Sequence, residues 1–226
     1  TDMHKAGFVN IVGNPNVGKS TLIKRIMEQL VVPNIPDPYR AERAKDELPQ
    51  SGSGKTIMTT EPKFVPEQAV EIARDSQIAI LVCGDNLVTS GEGHDRSRLV
   101  LCGRQRELIL RVAETGTPVV LVLENGKAID LSAETEACAA MVVAGFGGEF
   151  GAKAIVKTLA GDINPAGRLT VSYPRDEGMV PCYYTRLPGA SCDYLEGSAS
   201  PLYPFGHGLS YTRFEYSDLT LTPLGG

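Results

Sequence analysis

Between residues 67 and 160 the apolar positions fall in short unbroken runs, separated by stretches with helical spacing. IAILVC (78–83) and VVLVL (119–123) contain no polar residue, the pattern of strands buried on both faces. A third run, Ala137 to Ala144, predicts a strand near 138–143. Periodicity predicts helices over 67–75, 104–114 and 150–159, the last with Ala154, Ile155 and Leu159 facing inward. Further upstream, GFVNIV predicts a strand near 8–12, followed by a turn and a helix carrying Leu22, Ile23, Ile26, Met27 and Leu30. Prolines at 33, 36, 38, 49, 62 and 66 make 31–66 a long irregular connection, with a couple of helical turns at most over Arg40 to Leu48. After Asp162 the chain reads as loops, with an edge strand over Leu169 to Tyr173 and an aromatic segment from Tyr203 to Tyr216. In that segment Tyr203, Phe205, Tyr211 and Phe214 are expected to seal the core, stacking on sugar being the lesser reading.

Strands alternating with helices imply a parallel sheet. The predicted fold is a single α/β domain over 1–226. It has a doubly wound, mostly parallel sheet with helices on both faces, a three-layer αβα sandwich of Rossmann or flavodoxin type. Within it, 1–30 form a strand-turn-helix, 31–66 the connection and 67–221 the remainder.

Composition changes this picture little. With 226 residues and 42% hydrophobic content the chain buries a real core, and a net charge of −5 with no basic tract argues against nucleic-acid and anionic-membrane partners. No apolar run is long enough to span a bilayer, and no charged-then-apolar leader precedes Thr1, so a cytoplasmic location is expected. The five cysteines lack zinc spacing and are expected to be reduced, mostly buried thiols. Cys182 and Cys192, flanking a loop, would pair only in an oxidising compartment.

Two stretches carry chemistry. GNPNVGKS (13–20) fits GxxxxGK[ST] in full, between a predicted strand and a predicted helix. In that motif backbone N–H groups curl round a phosphate, so Gly13, Asn16, Val17, Gly18, Lys19, Ser20 and Thr21 are candidate nucleotide contacts. Lys19 would neutralise phosphate charge and Ser20 would hold Mg²⁺ with GTP or ATP. The same residues serve equally well as a plain strand-to-helix corner. A Mg²⁺-holding carboxylate and a base-reading NKxD should follow. Asp85 is the one stand-in for the first, otherwise a solvated turn residue, and Asn125 to Asp130 resembles NKxD with the wrong spacing. GFVNIVGNPNVGKSTL resembles the first motif of Era-type GTPases, whereas STLIKRIMEQLVVPNI with RAKDELPQSGSGKTIMTTEPKFVP is similar to the ATPase region of stage IV sporulation protein A. The latter likeness implies that Thr59 or Thr60 lies in the switch segment, within reach of Mg²⁺.

The second stretch is the polar loop after the run 78–83, which carries Glu92, His94, Asp95 and Arg96 where ligand sites of open α/β sheets lie. GEGHDRSRLVLCGRQRELI (91–109), VVLVLENGKAIDL, GDINPAGRLTVSYPR (161–175) and PLYPFGHGLSYTRFEYSDL (201–219) resemble the C-terminal α/β sandwich domain of family-three glycoside hydrolases, the β-glucosidase and β-xylosidase group. FVNIVGNPN stands where such domains open with VAVIGPNA. The resemblance implies a β-glucoside or other sugar as partner and Glu92 as acid/base, its carboxyl tuned upward by a partly buried pocket. It assigns the nucleophilic aspartate to a preceding barrel that these residues do not include, so the chain is expected to be inactive alone. Asp95 and Arg96 are expected to brace the loop, Asp95 being a lesser catalytic candidate; His94 either touches a sugar hydroxyl or is only solvated. His207 is expected to order a turn through its ring nitrogens. Gly145 to Phe150 departs from the Trp/Tyr-Pro-Gly-Gln-Glu stretch usual there. The whole reads as a mosaic of three sources, natural or engineered. Two other functions stand beside the glycosidase one: a nucleotide-binding P-loop protein, and an assembly of fragments with no ligand.

Overall fold

A computed structural model describes residues 67–86, 89–185 and 193–221, with short pieces between residues 24 and 42. Among the described residues three parallel strands form the sheet: β1 (Ala79–Gly84), β2 (Val119–Glu124) and β3 (Ala140–Val143), in the order β1-β2-β3. Registers run from Ala79↔Val119 to Gly84↔Glu124 and from Val120↔Ala140 to Leu123↔Val143. Within residues 67–221, four α-helices accompany them among the described residues: α1 (Glu67–Arg74), α2 (Gln105–Ala113), α3 (Ser132–Ala137) and α4 (Gly148–Leu159).

Each long element follows from its spacing. In α1 the buried apolar residues are Ala69, Val70 and Ala73, and in α2 they are Leu108, Ile109 and Val112, in both cases i, i+1 and i+4. An acidic residue in the first turn and an arginine in the last complement the dipole of each. Past the end of α1, the Thr117 hydroxyl donates to Ala73 O at 2.7 Å, tying that helix to the start of β2. In β2 the consecutive residues Leu121, Val122 and Leu123 are all fully buried, so both faces of the central strand are covered. The crossover segments α2 and α3 pack against each other, and α1 packs against α2. From the C-terminal side, α4 adds Ala152, Ile155 and Val156 to the same core. The α/β class, the parallel sheet and three of its strands thus stand as predicted from sequence.

Several details differ. Helix α3 was not predicted: SAETEA is six residues long with no apolar stripe. The run 137–144 is therefore split, with Ala137 closing α3 and β3 beginning at Ala140. Strand β3, predicted from an apolar run, is only half-buried, and Val143 is exposed. In α4, Ala154 is exposed and its inward place is taken by Ala152 and Val156, while Leu159 packs at the margin of the core. Leu169 to Tyr173 is an isolated antiparallel bridge, Tyr173↔Tyr203, rather than a strand. Of the four aromatic residues expected to seal the core, only Tyr203 packs against it; Phe205, Tyr211 and Phe214 are exposed. The turn at His207 is held by its backbone, with N–H donating to Pro204 O and C=O accepting from Leu169, while the ring lies 4.8 Å from that of Tyr203.

Cys83 is buried, and Cys102, Cys138 and Cys182 are half-buried. Burial, with Glu134 nearby, pushes the Cys138 thiol up to about 11, so it stays protonated at neutral pH. Cys192, the strand near 8–12 and nearly all of 13–66 lie outside the described residues. No helix among the described residues is long and apolar enough to cross a membrane.

Candidate functional site at the carboxyl ends of the strands

The site is built on the last residue of β1. Gly84 has φ +153° and lies so close to β2 that a Cβ there would sit 1.8 Å from Glu124 O. Gln105, at the start of α2, fixes this end of the strand: its Oε1 accepts from Gly84 N at 2.7 Å and its Nε2 donates to Gly84 O at 3.0 Å. The next residue, Asp85, donates its N–H to Glu124 O at 3.0 Å, so the strand pairing carries its carboxylate to a fixed place.

Asp85 is only 4% exposed. Its carboxylate takes Arg96 Nη1 at 3.1 Å and the Thr89 hydroxyl at 3.3 Å on Oδ1, while Lys127 Nζ stands 3.7 Å from Oδ2. Arg96 also donates to Val100 O, and Lys127 to Thr89 O at 3.2 Å. Asp85 is therefore not a solvated turn residue: Arg96 bonds to Oδ1, and Lys127 is the cation beside the buried Oδ2, which accepts no hydrogen bond. The brace expected between Asp95 and Arg96 is instead Asp85–Arg96, and Asp95 is exposed.

Beyond this base the chain rises into the predicted acid/base loop. Gly91 and Gly93 both have positive φ (+134° and +76°), and His94 N donates to Gly91 O at 3.2 Å, closing a turn with Glu92 at its tip. Glycine at 93 is required by that backbone conformation, and it leaves the Glu92 carboxylate projecting outward. The described residues form no partly buried pocket round it: Glu92, His94 and Asp95 are all exposed. The structure thus brings these three together on one short turn but does not enclose them.

The loops after β2 and β3 complete the same face. Asn125 Nδ2 donates to Lys127 O at 2.5 Å, ordering the turn that leads from β2 towards Asp130. Asp130 Oδ1 accepts from Ser132 N at 2.8 Å at the entry to α3, and its Oδ2 takes Arg106 at 3.2 Å. Arg106 also makes a two-pronged pair with the fully buried Glu134, at 2.7 and 3.0 Å. Burial works against the Arg106 charge, but the hydrogen bonds and fields of Glu134 and Asp130 outweigh it and the pKa is raised. Phe146 lies over Gly126, where a Cβ would come within 2.6 Å of its ring. The departure at Gly145 to Phe150 therefore pairs an exposed aromatic ring with a glycine on the neighbouring loop.

Sequence reasoning missed Lys127 and Thr89. The signal was a lysine three residues past β2, which the Gly84↔Glu124 register places beside the base of the loop after β1. Gly13, Asn16, Val17, Gly18, Lys19, Ser20, Thr21, Thr59 and Thr60 all lie outside the described residues. Among the described residues no group of three or more His, Cys, Asp or Glu side chains is placed to hold a metal ion.

A parallel α/β sheet with a carboxylate-bearing loop beyond β1 defines the class: an α/β domain of the kind in which ligand sites lie past the strand ends. The chain belongs to the glycosyl hydrolase family 3 C-terminal domain family, whose pattern matches residues 8–211. It is 36% identical over 172 residues to a periplasmic beta-glucosidase of Salmonella typhimurium, covering 71% of this chain and 22% of that protein. The fold is similar to a beta-glucosidase from Listeria innocua solved in complex with glucose, with TM-score 0.64 and 27% identity over 69% of this chain and 24% of that one. A second likeness, 42% identity over 123 residues, is to the stage IV sporulation protein A of Clostridioides difficile, covering 50% of this chain and 25% of that protein. The shares of this chain taken by the two relatives exceed its length, so the likenesses overlap along it. This chain spans between 19% and 27% of the length of the curated relatives it matches.

Proposed function

We propose that these residues act as the acid/base-bearing domain of a β-glucosidase-type family 3 glycoside hydrolase, with Glu92 as the proton donor to the glycosidic oxygen. The observation that carries this reading is the Gly91–Gly93 turn: it holds one carboxylate outward at the strand ends, on a base clamped by Asp85, Arg96 and Lys127. A carboxyl presented in this way suits a sugar held between this domain and a second body. Retaining hydrolysis needs a second carboxylate about 5–5.5 Å from the first, and in the described structure the acidic neighbour on the turn, Asp95, has no fixed partner to orient it. The nucleophile is therefore expected from a second body, and enclosure by that body would supply the desolvation that raises an acid/base pKa.

Two measurements on the 226-residue chain test this. Methyl β-D-glucopyranoside at millimolar concentration is expected to shift the backbone amide signals of residues 91–96; no shift there would remove the site. Hydrolysis of p-nitrophenyl β-D-glucoside is expected to be no faster than with Glu92→Gln. Turnover that dropped by the roughly 10²–10⁴-fold typical of a lost general acid on Glu92→Gln would show that the nucleophile is already present.

The full GxxxxGK[ST] match, together with the likeness to stage IV sporulation protein A, favours a second reading: Mg²⁺ with GTP or ATP held by Gly13 to Thr21. Under it, nucleotide at a hundred times its dissociation constant adds roughly 2.7 kcal/mol, several degrees in Tm for a chain of this size, and Lys19→Ala abolishes the shift. No shift with millimolar Mg-GTP or Mg-ATP would leave 13–20 as a strand-to-helix corner. The absence of both the sugar and the nucleotide response would favour an assembly of fragments without ligand.

A further inference from the structure

Resting on the acid/base reading of Glu92, we infer that Asp85 is the positioning residue of that loop, a buried latch that sets where the Glu92 turn stands. Its carboxylate touches both limbs of the loop at once. Thr89 on the rising limb donates to Oδ1 at 3.3 Å, and Arg96 on the descending limb donates to the same oxygen at 3.1 Å. Glu92 lies between these two limbs, at the tip of the turn closed by His94 N and Gly91 O.

The latch is referenced to the sheet on two sides. Asp85 N–H is bonded to Glu124 O, so the backbone from which the carboxylate projects is fixed to the ends of β1 and β2. Lys127, from the loop after β2, ties Asp85 Oδ2 to Thr89 O, at 3.7 and 3.2 Å. Inside the latch, Asn86 and Thr89 exchange hydrogen bonds: Asn86 N donates to Thr89 Oγ1 at 3.0 Å, and Thr89 N donates to Asn86 Oδ1 at 2.9 Å. An exposed loop held only by its own turn would sample many tip positions. One whose two limbs meet on a single carboxylate at 4% exposure is confined, because releasing either limb strands a charge away from water.

Asp85→Asn turns this attraction into conflict. The amide carries no charge to hold two cations, and its NH₂ group would face Lys127 or Arg96, donor against donor. In the full chain, Asp85→Asn is expected to raise amide hydrogen exchange at Thr89 and His94 by tenfold or more, while amides of β1 and β2 stay within about twofold. Lys127→Met, which removes only a half-buried partner, is expected to give a smaller rise at Thr89, and it tests the latch even if Asp85→Asn does not fold. Asp85→Glu, which keeps the charge, is expected to restore part of the protection. Unchanged exchange at Thr89 and His94 in both Asp85→Asn and Lys127→Met would overturn the latch. So would an equal loss of protection throughout β1 and β2, since Asp85 would then serve only the fold. The acid/base reading fails separately, if methyl β-D-glucopyranoside leaves the wild-type loop amides unmoved.

Discussion

Arg106→Ala is expected to cost about 3 kcal/mol of stability. The reason lies in what it leaves behind. Glu134 is fully buried, and its carboxylate is met by both Nε and Nη2 of Arg106. Breaking a buried ion pair by deleting one partner typically costs 3–5 kcal/mol, because the surviving charge stays desolvated. Arg106 retains 29% of its side-chain exposure, which places the estimate at about the low end of that range. The pair joins α2 to α3, and Arg106 also holds Asp130 at the entry to α3, so one deletion loosens both crossover helices. For a chain of this size the loss corresponds to a fall in Tm of roughly 10 °C. Urea unfolding followed by circular dichroism measures it directly. A change below about 1 kcal/mol would mean that water reaches Glu134 once Arg106 is gone. Replacing Arg106 and Glu134 together by apolar residues is expected to be milder than Arg106→Ala, since the fully buried charge of Glu134 is then gone and only the partly exposed Asp130 loses its partner.

Legibility from the sequence followed the range of the physics involved. Strands β1 and β2 and helices α1 and α2 were readable because each is specified by its own unbroken run or stripe, and burial along them repeats that pattern. Helix α3 was not, because SAETEA has no stripe and is held by Arg106, a partner 28 residues away. The candidate loop was readable as a place, since it follows a strand buried on both faces. Its bracing was not. Arg96 has Asp95 as its neighbour in sequence but reaches back eleven residues to Asp85, and Lys127 meets the same carboxylate only because β1 and β2 are in parallel register. At the C-terminal end the aromatic residues of 203–214 looked like core by composition alone. Composition does not say which way a ring turns: Tyr203 is held against the core by its backbone bridge to Tyr173, with its hydroxyl meeting Thr135 at 2.8 Å, whereas Tyr211 is exposed although its hydroxyl donates to Thr158 O at 2.8 Å, and Phe214 is exposed.

Gly84→Ala is expected to be the most damaging single methyl group in the described chain, and to damage the loop as well as the fold. A Cβ at residue 84 would lie 1.8 Å from the carbonyl oxygen of Glu124 and 2.5 Å from its carbon, both backbone atoms that no rotamer change can move aside. The backbone itself, at φ +153°, is in a region that residues with side chains rarely adopt. Strain at such a position costs of order 1–3 kcal/mol and overpacking a similar amount, so a total of about 4 kcal/mol is expected. Relief requires the ends of β1 and β2 to separate. That would lengthen the bond from Asp85 N to Glu124 O and pull Gly84 away from Gln105 Oε1. The carboxylate of Asp85 would then no longer stand where Arg96 and Lys127 meet it. Gly84→Ala and Arg106→Ala are therefore expected to differ in kind: both lower the unfolding free energy, but only Gly84→Ala also raises hydrogen exchange at Thr89 and His94 under conditions where the chain is folded. Equal exchange at those two amides in the two variants would mean that the strand end does not govern the loop, and that the position of Glu92 is set within residues 89–96 alone.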